Sequence, residues 1–269
     1  MKKNAMYEAY WGLKEKPFQN TPDPRFLYHS QQHEEALSRL NYAIQERVGA
    51  AVLTGTFGCG KTILAYSLLK SLAGEKYKVA YIANPRLDEV DLLRMIAHQL
   101  GSGDPPLRKM DVLTLLQDLL VTNMRNGKET IVILDEAHAI ESESVFEEIR
   151  LMLNFQQEDK FLLSLLLLGQ PELKGKIEKN AQLEQRIEIK CRLDAFGAED
   201  TARYIQHRLG IAGAARALFN DAAIRLIHNY SGGIPRRVNR LCNVSLLAGF
   251  SQQAKQIDEA IIQKEISEL

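Results

Sequence analysis

Past Ser30, apolar side chains recur at helical spacing. Ala36, Leu37, Leu40, Ala43 and Ile44 share one face of a predicted helix that runs to about Arg47, with Ser30 as its N-cap. The period then collapses into a short continuous run, Ala50-Ala51-Val52-Leu53-Thr54, which ends at a glycine as a strand buried on both faces does. The two patterns go on alternating. Helices are predicted over 61–72, 90–100, 112–126 and 145–155, and strands over 79–82, 130–134 and 162–168. Strands separated by helices need crossover connections, which predicts an α/β fold with a parallel sheet and helices on both faces.

After Leu193 the alternation ends. Residues 198–209, 221–230, 235–250 and 258–268 are all helical in period with turn residues between them. The expected organisation is therefore an α/β core over 31–194 and a small all-helical domain over 195–269. Residues 1–30 form neither pattern. Tyr7, Tyr10, Trp11, Phe18, Phe26 and Tyr28 punctuate a segment in which Pro22 and Pro24 argue against helix, so it reads as an irregular arm.

Composition narrows the function classes. The 269 residues carry 34 Lys+Arg and 34 Asp+Glu, so the net charge is zero and the simplest electrostatic nucleic-acid binder is disfavoured, a local basic patch aside. Cys59, Cys191 and Cys242 are an odd, widely spaced set, which fits a reducing compartment better than a disulfide framework or a zinc ribbon. Charges at Glu8, Lys14, Glu15 and Lys16 follow the start too soon for a signal peptide. The greasiest stretch, residues 161–168, falls far short of the roughly 20 residues that span a bilayer. A cytoplasmic location, at most peripheral to an inner membrane, is expected.

Chemistry concentrates at strand ends. Gly55-Thr56-Phe57-Gly58-Cys59-Gly60-Lys61-Thr62 matches GxxxxGK[ST] and sits between a predicted strand and a predicted helix, the context a phosphate-binding loop requires. Its glycines let backbone N–H groups turn toward phosphate oxygens at the positive end of the helix dipole. Lys61 would reach the β- and γ-phosphates of ATP and Thr62 would ligate Mg²⁺. Cys59 reads as a small side chain at a tolerant loop position, with a reactive thiol as the alternative. The strand Ile131–Leu134 ends in Asp135-Glu136, where Asp135 would hold magnesium and Glu136 would polarise the attacking water. His138 has no evident partner in sequence and reads as structural. Gln170, at the end of the 162–168 strand, either contacts the γ-phosphate and water or caps the next helix. Arg186 reads from the residues alone as a solvated charge. Pro235 opens a helix whose Arg236 and Arg237 either bind phosphate or cap a surface.

Taken together, the loop, the Asp-Glu strand end and the Gly-x-Pro-Arg turn in a helical C-terminal lid resemble an AAA+ ATPase of the P-loop NTPase fold. The likeness sharpens at Tyr10–Phe18, Thr21–Tyr28 and His33–Leu37, and again at Gly169–Leu173, Gln185–Ile187 and Ser231–Asn239. These segments are similar to the ExeA/GspA family of AAA+ ATPases, itself related to the TniB/TnsC group. The resemblance implies that Gln170 is sensor 1, Arg186 the arginine finger and Arg236 sensor 2, and that residues 18–28 pack near the adenine. It also implies ATP and Mg²⁺ as ligands and self-association into a ring or hexamer. Family members of type II secretion continue into a transmembrane helix and a peptidoglycan-binding module, and neither is expected in these 269 residues.

Two functions follow from the resemblance. In one, Mg-ATP hydrolysis at subunit interfaces drives assembly of a secretion, pilus or other surface system. In the other, a DNA-associated ATPase regulates a transposase on duplex DNA, with Arg236, Arg237 and Arg240 or Lys174, Lys176 and Lys179 lining a pore. A scaffold that binds nucleotide without turnover is disfavoured, because it needs no Glu136.

Overall fold

The computed structural model describes residues 7–72, 74, 76–157 and 160–269. The first six residues of the expected arm lie outside the described residues. Contacts group the chain into two units. One holds residues 31–57 and 64–193, and the other holds the described part of 1–30 together with 58–63 and 194–269.

The first unit is built on a parallel five-stranded sheet. Its strands are β1 (Ala50–Gly55), β2 (Tyr77–Ile82), β3 (Glu129–Leu134), β6 (Leu163–Gly169) and β7 (Ile187–Leu193), in the order β2-β3-β6-β1-β7. A two-stranded antiparallel pair, β4 (Gln156–Gln157) and β5 (Lys160–Phe161), precedes β6. Burial follows position in the sheet. Central β6 is buried at every residue, whereas edge strand β7 alternates between buried and accessible positions. Val52, Ile82, Val132, Leu134, Leu165 and Leu167 pack beneath helices α4 (Glu89–Gln99), α5 (Lys109–Arg125) and α6 (Glu143–Met152). Successive strand residues point to opposite faces, so Ala51, Leu53, Leu166 and Leu168 turn the other way. On that side α2 (Gln31–Gln45) lies against β1, β6 and β7. Each fully buried Leu or Ile contributes about 1.5–3 kcal/mol over leaving it in water, which is why the apolar runs settle at the centre. Two short helices, α7 (Glu172–Glu178) and α8 (Ala181–Glu184), connect β6 to β7.

Strand β7 is absent from the sequence-based expectation. Ile187-Glu188-Ile189-Lys190-Cys191-Arg192-Leu193 lacks the unbroken apolar run of a buried parallel strand because, at the sheet edge, part of its length faces water.

The second unit packs α9 (Ala198–Ile211), α10 (Asp221–Ser231), α11 (Pro235–Ser251) and α12 (Glu259–Glu268) around Leu209, Leu218, Ile227, Leu241, Leu246 and Ile262. Side-chain caps start α10 and α12, where the Asn220 and Asp258 carbonyl and carboxylate oxygens accept N–H groups of the first turn. The arm belongs to this core. Trp11 is buried and its indole Nε1 donates to the Leu246 carbonyl at 2.9 Å. Buried Arg208 donates to the carbonyls of Pro17 and Gln19 and lies over the Phe26 ring. The arm is not wholly irregular: Glu8–Trp11 forms a one-turn helix, α1, and Pro24–Phe26 a 3-10 turn. The first lies upstream of every proline, and the second places Pro24 at its first turn, where a missing N–H costs nothing.

Candidate functional site

In a parallel sheet every strand ends at the same edge. Gly55, Ile82, Leu134, Gly169 and Leu193 all terminate there, and the register sets Thr54 beside Gly169 and Leu134 beside Leu167. Sites in open α/β sheets form outside this edge.

The loop after β1 runs from Thr56 to Gly60, and helix α3 (Lys61–Ser71) starts on its lysine. Gly58 and Gly60 hold φ of +87° and +101°, which glycine alone adopts freely and which turns consecutive N–H groups inward. Lys61 is buried, Cys59 is fully buried and Phe57 is half exposed. Packed side-chain volume therefore describes Cys59 better than an accessible thiol does. Arg236 sits at the start of α11 and donates its backbone N–H to the Gly58 carbonyl at 3.3 Å. A Cβ on Gly58 would come within 2.8 Å of the Arg236 Cβ, so the loop and the start of this helix are in direct contact.

Asp135 follows β3 and is 2% exposed. Its Oδ1 accepts the Glu136 N–H at 2.8 Å and its Oδ2 accepts the Tyr81 hydroxyl at 2.9 Å. Tyr81 is at the end of neighbouring β2, where burial and the adjacent carboxylate push its phenol well above the ordinary range. The hydroxyl therefore stays protonated and donates. Glu136 adopts a left-handed backbone, φ +55° and ψ +32°, an uncommon conformation for a residue with a side chain. The turn Ala137–Ala139 follows it.

Gln170 and His138 meet across this edge. The Gln170 Nε2 is 2.8 Å from the His138 Nε2, and the other ring nitrogen, Nδ1, is 3.4 Å from the Glu136 carboxylate. His138 is thus a partner of two residues predicted to act in the site. Sequence alone could not pair it, since its neighbour lies 32 positions away. Gln170 makes no side-chain cap for α7. Lys176 of α7 donates to the carbonyls of His138 and Ile140 at 2.6 Å each. Two of its three ammonium donors thus hold the turn that carries His138. Lys174 pairs with Glu178 at 3.7 Å. Arg186, in the turn before β7, is half-buried, and its Nη1 has no hydrogen-bond partner among the described residues. Arg192 is exposed.

A loop of inward-turning N–H groups after the first strand, an acid pair after β3 and a polar residue at the tip of the strand between them define an AAA+ ATPase. Residues 44–177 match the AAA domain family. General secretion pathway protein A of Aeromonas hydrophila is 38% identical over 257 residues, covering 94% of this chain and 46% of that protein. Among solved structures, the Aeropyrum pernix ORC2 protein in its ADPNP-ADP complexes superposes with a TM-score of 0.69 at 21% identity, over 95% of this chain and 72% of the other. Cdc6p from Pyrobaculum aerophilum superposes with a TM-score of 0.72 at 17% identity, over 90% and 67%. At these identities the two structures establish the fold. The chain belongs to the ExeA/GspA family of AAA+ ATPases. It spans about half the length of the secretion-pathway relative that it matches. Among the described residues no helix is long and apolar enough to cross a membrane.

Proposed function

We propose that this ATPase binds Mg-ATP, hydrolyses it at interfaces between subunits of a ring, and couples turnover to assembly of a secretion or other surface system. The observation that carries the chemistry is the Asp135–Glu136 step. Asp135 is buried and held by two donors, while Glu136 is turned by a left-handed backbone away from the run of β3. The donor set fits the ligand: a hydroxyl at Thr62 and a carboxylate at Asp135 are hard oxygen groups that suit magnesium, which takes few protein ligands when it also binds phosphate.

Lys61 would neutralise β- and γ-phosphate charge, and the loop N–H groups would orient the phosphates. Bound magnesium supplies further neutralisation of charge on the phosphate oxygens. Glu136 takes a proton from water as the water oxygen bonds to the γ-phosphorus. The bond from that phosphorus to the bridging oxygen breaks, and the electron pair leaves with ADP. Gln170 orients the water, and Arg186 from an adjacent subunit neutralises charge on the transferring group. Arg236 would contact phosphate from the C-terminal helices. The surface-assembly part of the reading is supported by the likeness to General secretion pathway protein A.

Nucleotide binding and hydrolysis measured separately test this. Lys61→Ala should lose both. Glu136→Gln should retain Mg-ATP while turnover falls by roughly 10²–10⁴-fold, the usual scale of a general base, and should form larger assemblies with ATP than with ADP by light scattering. Parental turnover in Lys61→Ala, or loss of binding in Glu136→Gln, refutes the assignment.

A further inference from the structure

Three side chains from two strand ends form a chain that the proposed mechanism does not use as a unit. With the Gln170 amide oriented as it is here, its nitrogen, which can only donate, stands 2.8 Å from the His138 Nε2, and that ring nitrogen then accepts. A neutral ring that accepts at Nε2 carries its proton on Nδ1. That Nδ1 is buried, has no hydrogen-bond partner among the described residues, and lies 3.4 Å from the Glu136 carboxylate. The ring's one N–H is therefore buried beside the residue assigned as the base, and a small rotation of the partly exposed Glu136 side chain would complete the bond.

Both flanks of the ring are anchored. Asp135 accepts the Glu136 N–H, which pins the left-handed step before the turn. Lys176 clamps the carbonyls of His138 and Ile140 behind it. Gly169 closes the gap from the strand side, since a Cβ there would sit 3.1 Å from the His138 backbone nitrogen. With the backbone held on each side, the freedom left to the ring is rotation about its own side-chain bonds, and Gln170 removes it.

We propose that His138 is a positioning residue that couples Gln170 to Glu136. The amide of Gln170 selects the Nδ1–H tautomer, and the Nδ1–H orients the Glu136 carboxylate toward water. A displacement of the β6 tip then reaches the base through one ring. This inference rests on the ATPase reading above, and deepens it by naming the link between sensor and base.

The tautomer is measurable without turnover. Ring ¹⁵N shifts of the intact protein, at a pH where the imidazoles are neutral, should assign His138 to the Nδ1–H form, and Gln170→Ala should raise the share of the Nε2–H form that free histidine favours. An Nε2–H ring in the parental protein, or one that ignores Gln170→Ala, overturns the proposal. Steady-state kinetics supply the second arm. His138→Ala should lower kcat on the order of 10²-fold, the scale of a misplaced catalytic group, with KM for ATP unchanged. His138→Asn, whose amide nitrogen can stand near the Nδ1 position, should recover part of that loss, which a merely space-filling histidine would not predict. Adding Gln170→Ala to His138→Ala should cost less than the product of the two single effects, because both break the same chain and only Gln170's own contact with water is left to lose. Multiplying effects in the double variant, with normal parental turnover, overturn the coupling alone. Absence of Lys61-dependent hydrolysis in the parental protein overturns the ATPase reading and the coupling together.

Discussion

Two neighbouring glycines in the Ser231–Asn239 segment separate backbone conformation from close packing. Gly232 and Gly233 have φ of +60° and +72°, so alanine at either carries the left-handed cost of about 1–2 kcal/mol. Their surroundings differ. A Cβ on Gly232 meets nothing within 4 Å, whereas one on Gly233 would stand 1.9 Å from the Phe196 carbonyl oxygen. Relief demands that one backbone retreat by about 1 Å or more, since real Cβ contacts start near 3.0 Å. Phe196 is poorly placed to retreat. It is 4% exposed, its N–H donates to the Gly233 carbonyl at 2.9 Å, and its ring packs on Tyr28 and Tyr204. Overpacking of this kind costs about 1–3 kcal/mol and the strained hydrogen bond about 1 kcal/mol more. Gly233→Ala should therefore destabilise by roughly 3–6 kcal/mol, against about 1–2 for Gly232→Ala. The assay is urea unfolding followed by the fluorescence of Trp11, the single tryptophan, buried in the same unit. Equal midpoints and slopes for the two variants would refute the argument, because φ alone would then account for both glycines.

Mixing Lys61→Ala with Arg186→Ala should restore ATPase activity that neither shows alone, since each Lys61→Ala subunit can lend its Arg186 to a sound loop next door; mixed oligomers with no activity would make Arg186 a residue of its own subunit or a surface charge. Tyr81→Phe removes the hydroxyl that holds Asp135 and should raise the magnesium needed for half-maximal turnover by roughly 10-fold, the lower end for an outer-shell partner; an unchanged magnesium titration counts against Asp135 as a ligand. Burial, and then the nearby His29 and Arg208, lower the pKa of His207, partly offset by a hydrogen bond with the Leu27 backbone. The unfolded chain therefore binds a proton at His207 near pH 6.5 that the folded chain resists, so this contribution is complete above that pH and is lost as pH falls through the folded value. Urea midpoints between pH 7 and pH 5 should fall less steeply in His207→Gln than in the parental protein, and parallel curves would show that His207 is not responsible.

Local rules made much of this protein legible before any coordinates. The apolar runs of β1, β3 and β6 announce buried parallel strands because each is flanked by helices and must be covered on both faces. The phosphate loop was readable because its glycines, lysine and threonine are contiguous, and the four C-terminal helices because each repeats its apolar face at helical spacing. Tertiary structure decided the rest. Strand β7 joins the sheet by pairing with β1 across more than a hundred residues, and at an edge it needs no unbroken apolar run to do so. The arm is ordered through Arg208, whose donors meet carbonyls about 190 positions away. His138 gained its neighbours only when β3 and β6 paired in register, which brought Gln170 to one ring nitrogen while Glu136 stood at the other. Sequence encodes helix and strand through periods a few residues long. Which strand lies beside which is settled by how the buried faces fill space together, and residues that act as a group across strand ends are brought together only by that packing.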